Sequence, residues 1–381
     1  MPLLPDYDTA REEAGFRWYV RPTIYALLAV TGVPIGREYN LNPEVAIDVY
    51  RRGVPKFREL FPDERAVADP AITTPAISYG HVSCLGSELL FPEVGEVAHT
   101  HIYGSLEEGI RALGEPVDWP AAGEFPRYLA YREELRKAFP GKEIGLSFSL
   151  EGPLTTAYEL RGDSIFYDLM DDPERTAEFL RLATASVVDF HRARCRLIGM
   201  PAVGPTGHMC DDIASMVPPD RFRELVLPFW DQYFRGVTDG KRNAHVEDLR
   251  ADQLPFLEEA GLWYFDPSIS HKLNPDIIRT RCRVPFGWRL GSFHYANLDV
   301  QAVRDWVFQA VADGASAVFT YIEASMCEPE TVPKVHAFIE AAREAERILG
   351  SGSTGPAGTR ADVGALVSPA GRARFWDHWP A

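Results

Sequence analysis

Apolar positions along this chain recur with two periods. In 299–313, Val303, Trp306, Val307, Ala310 and Val311 fall at i, i+3, i+4, i+7 and i+8, one face of a helix. Asp299 reads as its N-cap and Gly314 as its stop. A longer helix is expected after Asp172, with Pro173 in its first position and Glu174 beside it. Further helices are expected over 43–58, 106–113, 126–138, 219–235, 249–260 and 333–349. Between them lie short apolar runs that read as strands: 76–82, 143–150, 202–210, 243–248, 262–267, 285–290 and 315–323.

Strand, helix and strand in alternation is the order of parallel strands joined by right-handed crossovers. Seven strands are read, and 291–298 or the region near Tyr25 would supply an eighth. The expected class is α/β: a (β/α)8 TIM barrel forming a single domain over 1–349, with an N-terminal helical extension. No glycine-rich dinucleotide fingerprint follows any strand. Over 350–381 the composition changes. Residues 351–358 read SGSTGPAG, and small residues continue to about 371, so a flexible Gly/Ser/Pro-rich tail is expected. The aromatic RFWDHWP at 374–380 would dock onto this or a second chain, or stay mobile.

With 381 residues, 46% of them hydrophobic, the chain can bury a large core. Lys and Arg number 39 against 55 Asp and Glu, a net charge of −16, and no basic block offsets it. Nucleic acid and anionic membrane surfaces are poor partners for such a surface. The five cysteines are odd in number and widely spaced, unlike a disulfide framework. The first residues do not read as a secretory signal, and the longest uncharged apolar run, 24–36, is too short to span a bilayer. A cytoplasmic protein with reduced thiols and a small-molecule substrate is the expectation.

In an α/β barrel, chemistry sits at the carboxyl ends of the strands. Polar residues gather there: Tyr79, His81 and Cys84; Ser147, Ser149 and Glu151; His208, Cys210, Asp211 and Asp212; His245, Glu247 and Asp248; then Asp266, Trp288, Arg289, Tyr321, Glu323 and Cys327. His245 and Glu247 are two apart on a strand and project to one side. They form either a hydrogen-bonded pair or, with Cys327, three zinc ligands that leave a fourth position open. Asp211 and Asp212 either cap the next helix or hold substrate. Trp288 is core or a wall of the substrate site. His99 and His101 lie in a polar loop and read as solvated.

The order of these pieces resembles the uroporphyrinogen decarboxylase superfamily over roughly 40–346. The resemblance rests on EGPLTTAYELRGDSIFYDLMDDPERTAEFL (151–180), CLGSELLFPEVGE (84–96), Asp211-Asp212 with the later Pro228-Phe229, and CEPETVPKVHAFIEAARE (327–344). The family fold is a (β/α)8 barrel. The true decarboxylase carries an Arg-rich N-terminal motif and an aspartate ending its first strand. Here 21–39 has only Arg21 and Arg37 as basic residues, and 70–87 has no carboxylate.

The closer branch is the zinc-dependent methyltransferases that act on corrinoids and thiols, which bind zinc through His-x-Cys and a late Cys. His245 and Cys327 match that pattern, and Glu247 replaces the middle cysteine. The resemblance therefore implies transfer of a methyl group between a corrinoid or small methylated donor and a thiol-type acceptor. It implies zinc on His245, Glu247 and Cys327, with His208 and Asp212 as catalytic residues. Tyr79, His81, Asp211, Trp288 and Tyr321 would bind substrate. A corrinoid protein would be a partner, and pairing of barrels into a homodimer is implied by the same analogy. The alternative is a metal-independent decarboxylase or lyase acting on a small carboxylated substrate, with Glu247, His245 and His208 as its acid–base groups.

Overall fold

The computed structural model describes residues 4–350, 358–375 and 379. Eight strands are defined: β1 Arg17–Pro22, β2 Leu89–Leu90, β3 Ala98–His99, β4 Gly204–Cys210, β5 Thr238–His245, β6 Tyr264–Asp266, β7 Gly287–Arg289 and β8 Ala317–Ile322. They form two parallel three-stranded sheets, β1-β8-β7 and β4-β5-β6, and the antiparallel hairpin β2-β3. A parallel bridge from Phe265 to Phe286 links β6 to β7. On the other side, β1 continues through Val20–Val67, and two further stretches pair only through Thr73–Gly145 and Ile77–Phe148. Gly152 N then donates to Cys210 O at the end of β4.

The strand order is that of a TIM-like barrel, but the ladders of the described residues do not close. Pro70 and Pro75 lie in the stretch after β1, and a proline has no N–H to give a ladder. The expected strand at 76–82 is reduced to one bridge, and Gly80–Cys84 is a short helix. Glycine is required at its start: a Cβ on Gly80 would lie 2.6 Å from Ser149 O.

Helices follow the expected pattern where capping and periodicity agree. Pro173–Ile198 starts on the Asp172 side chain, which accepts from Arg175 N, and stops at Gly199 with φ 74°. Val300–Ala312 starts on Asp299. The single helix expected over 219–235 is two, Pro219–Leu225 and Leu227–Val237, with Pro228 at the restart.

Alternation within the strands divides outside from inside. Val20, Met209, Ala244, Phe265, Trp288 and Val318 point outward and are buried under the helices. Arg17, Tyr19, Arg21, His208, Cys210, Asn243, His245, Tyr264, Asp266 and Tyr321 line a cavity of about 620 Å³. TIM barrels ordinarily fill this space with layers of branched apolar side chains. Here the lumen is polar and open.

The segment expected to be a flexible tail is folded where it is described. Arg360–Gly364 and Pro369–Phe375 are helices lying against Val300–Ala312. Asp305 accepts from Ser368 N and Oγ at 2.8 and 2.5 Å. Trp379 meets the rings of Trp288, Trp306 and Phe375. Within 351–381, residues 351–357, 376–378 and 380–381 lie outside the described residues. No helix of the described residues is long and apolar enough to cross a membrane.

Candidate functional site

His245 ends β5 with its ring held on both nitrogens. Nδ1 is 3.1 Å from Asp266 Oδ2, and Nε2 is 3.5 Å from Glu247 Oε1 and 3.8 Å from Asp212 Oδ1. Two of the three carboxylates are positioned by backbone. Ser268 N donates to Asp266 Oδ1 at 2.8 Å, and Glu247 N donates to Asp212 Oδ1 at 2.8 Å. Two non-glycine residues after these strands have positive φ, Asp248 at 60° and Ser268 at 53°. Such strain gathers at functional sites, and here the turns lie directly beside Glu247 and Asp266.

Burial alone would lower the pKa of His245. The hydrogen bonds to Asp266 and Glu247 and the charges of Asp266 and Asp212 outweigh it and push it up to about 10. Glu247 is lowered chiefly by its bond to His245. Nearby carboxyls move the other way. Burial raises Glu151 to about 7, with the charges of Asp212 and Asp211 adding to it. Burial also raises Asp212. Cys210 opens onto the cavity one strand from His245. Burial and then the charge of Glu151 push its thiol up to about 12, so it is not a ready nucleophile.

The remaining expected residues fall in different places. His208 lines the lumen one layer below Cys210, and Tyr321 lines it from β8. Tyr79 lies against His99, with ring centres 4.2 Å apart and tilted by 37°, and borders a separate mouth cavity of about 150 Å³ with Tyr25, Ser78 and Glu96. Of the two histidines read as solvated, His99 is half-buried against Tyr79, whereas His101 is exposed, with Nδ1 donating to Glu159 O.

Asp211 does not face the lumen. It is fully buried, accepting from Thr155 N at 2.7 Å and from Trp230 Nε1 at 2.6 Å, so it ties two helices to the strand end. His81, expected at the substrate, is 1% exposed inside the helix that replaced its strand. Its Nε2 meets Ser186 Oγ at 2.9 Å, and burial holds its pKa down to about 3. Trp288 belongs to the outward face and packs on Trp379, away from the cavity.

Arg17, Tyr19 and Arg21 are not among the expected site residues: an eighth strand is expected only as 291–298 or the region near Tyr25, with no inner face assigned. The signal was present in the alternation R-W-Y-V-R, with the charges on the inner face. Glu151 and Asp266 were noted at strand ends without a role. Their spacing gave no sign that one would be raised and the other would hold His245.

The zinc ligand set does not assemble. The Cys327 thiol is 3.8 Å from Ala26 O and 3.9 Å from Glu323 O, sitting between two backbone carbonyls. Among the described residues, no group of three His, Cys, Asp or Glu side chains is placed to hold a metal ion. His245 has a carboxylate on each nitrogen, so a metal at Nε2 would have to displace its contacts with Glu247 and Asp212. The three residues as placed therefore do not fit the ion.

No family model matches the chain. No curated protein matches it in sequence. Among solved structures, it is similar to a methyltransferase from Methanosarcina mazei, with a TM-score of 0.60 and 20% identity over 87% of this chain and 94% of that one. A B12-independent methionine synthase from Shewanella sp. W3-18-1, in complex with selenomethionine, matches with a TM-score of 0.43 and 10% identity, over 82% and 96%. The first likeness establishes a shared fold, a TIM-like α/β barrel.

Proposed function

We propose that this chain is an enzyme of methyl or alkyl transfer in which His245, held as an imidazolium, gives a proton to the heteroatom that loses its methyl group. The observation that carries the reading is the His245 ring, with Asp266 on Nδ1 and Glu247 and Asp212 on Nε2, at the carboxyl ends of barrel strands. The acceptor, a thiol that has given its proton to solvent or a reduced corrinoid, attacks the methyl carbon, and the carbon–heteroatom bond breaks with its electron pair going to the heteroatom. The proton on His245 Nε2 then neutralises the leaving group. Asp266 fixes the ring and its charge, while Asp212 and Glu247 hold the transferable proton. The donor would be a small methylated molecule. The acceptor would be a small thiol, or a corrinoid carried by a partner protein. The fold shared with the Methanosarcina methyltransferase supports the class of reaction and nothing finer. The zinc version implied by the family resemblance would supply a thiolate already deprotonated at neutral pH. The observed ligand geometry does not favour it.

The test is methylation of a small thiol, or of reduced cobalamin, from a panel of N-, O- and S-methyl donors, followed by mass spectrometry with and without chelator. Wild-type transfer that survives chelation and disappears in His245→Gln supports the reading. Transfer abolished by chelation restores the zinc version, and no transfer from any donor removes methyl transfer. A second reading, decarboxylation without a metal, is favoured by Glu151, whose raised pKa leaves a carboxyl able to exchange protons near pH 7. There CO2 would leave with its bond pair left on carbon, and His245 would protonate that carbon. Release of CO2 from carboxylated substrates by the same preparation distinguishes it.

A further inference from the structure

The lower lumen is built differently from the site around His245, and nothing in the proposed reaction uses it. Its floor runs across four strands. His208 is the register partner of Asn243, Asn243 of Tyr264, and the Arg17 guanidinium lies 5.6 Å from the centre of the Tyr264 ring. All four line the same cavity. The room is made by two small residues at the level of Arg17, Gly287 and Ala317, which are register partners in β7 and β8. Gly287 keeps this space open, because a Cβ there would lie 2.3 Å from the Tyr264 hydroxyl and the ring would have to move.

Two features of this floor are free to meet a ligand. Asn243 Oδ1 is buried and has no hydrogen-bond partner among the described residues, so it would accept from an N–H or O–H of the ligand and not from its carboxylate. Arg17 is exposed and makes no ion pair within 4.0 Å with a described carboxylate. Glu346 lines the same cavity but is taken up by the Trp18 indole, which donates to it at 3.0 Å. A guanidinium held over a ring and open to the cavity presents a planar fork of N–H donors, the match for a carboxylate. The neutral imidazole of His208, lowered by burial, can add an uncharged donor. The wall above is aromatic: Tyr19 stacks on Phe319 at 4.7 Å, and Tyr321 lies beside both.

We propose that this floor is a ligand subsite that takes a carboxylate, so that the substrate enters the barrel acid-end first and its reacting end stays at His245. The substrate class is then a flat carboxylic acid. Its acid group lies two strand residues below His245, about 7 Å at ~3.3 Å per residue. The inference deepens the proposed function and rests on it for the reacting end alone.

Calorimetric titration of the full chain with benzoate and with benzamide tests it, since the two differ in the charge of one group. Benzoate should bind at least about tenfold more tightly, the scale of one hydrogen-bonded charge. Arg17→Gln should remove that preference and leave benzamide binding unchanged, and Arg17→Lys should restore part of it. Circular dichroism confirms that each variant is folded. His245→Gln should bind benzoate as the wild type does, so loss of turnover in that variant and loss of binding in Arg17→Gln report on separate proposals. Equal binding of the two probes, no binding of millimolar benzoate, or a preference that survives Arg17→Gln overturns the subsite whatever the activity assays show.

Discussion

The lumen has two walls of opposite character. From β4 to β6 it carries Cys210, His245 and Asp266, with Glu151, Asp212 and Glu247 close by, groups that exchange protons and shift one another. From β7 through β8 to β1 it carries arginines held against rings: Arg289 at 4.7 Å from Tyr321, Arg21 at 4.7 Å from Tyr19 and Arg17 over Tyr264. Arg289 also binds Glu323 at 3.0 Å, whereas Arg17 and Arg21 have no carboxylate partner among the described residues. Ring faces hold guanidinium forks in place as donors, whereas a histidine held by carboxylates can pass a proton on. The first wall is therefore suited to chemistry and the second to recognition, and the two should fail separately.

The strongest break is at His245. His245→Gln keeps hydrogen bonding and removes the titrating proton, so turnover should fall by about 10²–10⁴-fold, the usual contribution of a positioned acid. Substrate affinity should change little. The same group sets the alkaline limb of the pH–rate profile. The imidazolium is lost as pH rises through about 10, so activity should fall there. Asp266→Asn removes the partner on Nδ1 and should move that limb to lower pH. The sign for stability is parallel. A histidine raised in the folded state stabilises fully below its unfolded pKa of about 6.5, and this is lost as pH rises through about 10. A limb unmoved by Asp266→Asn would mean that another group is the acid.

Next in size is Asp211, next to the chemistry but turned away from the lumen. Asp211→Ala leaves Thr155 N and the Trp230 indole N–H buried without an acceptor. At about 1–3 kcal/mol for each orphaned group, denaturant unfolding should show a loss of about 3 kcal/mol. Asp211→Asn keeps one acceptor and should lose less. Because burial raises the Asp211 pKa to about 7, the carboxyl binds its proton more tightly folded than unfolded. Its contribution to stability therefore declines as pH rises from about 4 to about 7, and Asp211→Asn should flatten that decline.

This pair marks how far the sequence could be read. His245 with Glu247, and Asp211 with Asp212, stood out because carboxylates and histidine recur at strand ends. The helices announced themselves through caps such as Asp172-Pro173 and Asp299. What pattern could not supply was direction. Trp288 and Arg289 are adjacent, yet one lies under helices and the other in the lumen. His81 was misplaced because Gly80 allows the chain to turn into a helix against Ser149, which no periodicity shows. The polar inner face of β1 was missed for a related reason. Barrel strands are sought as apolar runs, and a lumen that holds ligand inverts that pattern.

On the recognition wall, the sharpest small change is Gly287→Ala. The added methyl meets the Tyr264 hydroxyl and must push the ring toward the cavity, at a cost of about 1–3 kcal/mol in a packed site. Thermal unfolding should register that loss. Benzoate affinity should fall along with it, while benzamide turns no specific contact to account and should fall less. An affinity that is unchanged would show that Tyr264 relaxes outward and that the floor is wider than its lining suggests.

The smallest expected effect separates the observed geometry from the zinc reading most cleanly. Cys327 lies close to the carboxyl end of β8, but its thiol sits between Ala26 O and Glu323 O and is half-buried against the core. Burial raises its pKa to about 11, so at neutral pH it is a thiol and a weak donor. Cys327→Ser replaces that donor with a smaller, more polar one able to reach the same carbonyls. The expected cost in stability is about 1 kcal/mol. Turnover should stay within about twofold, because no reacting group is touched. A metal ligand would behave otherwise. Its replacement by serine would lower metal content and activity together, by 10-fold or more even for an outer-shell partner of such a site. Metal analysis and turnover on one preparation of Cys327→Ser therefore decide whether the late cysteine is a packing residue or whether the chain rearranges on binding an ion to bring it beside His245.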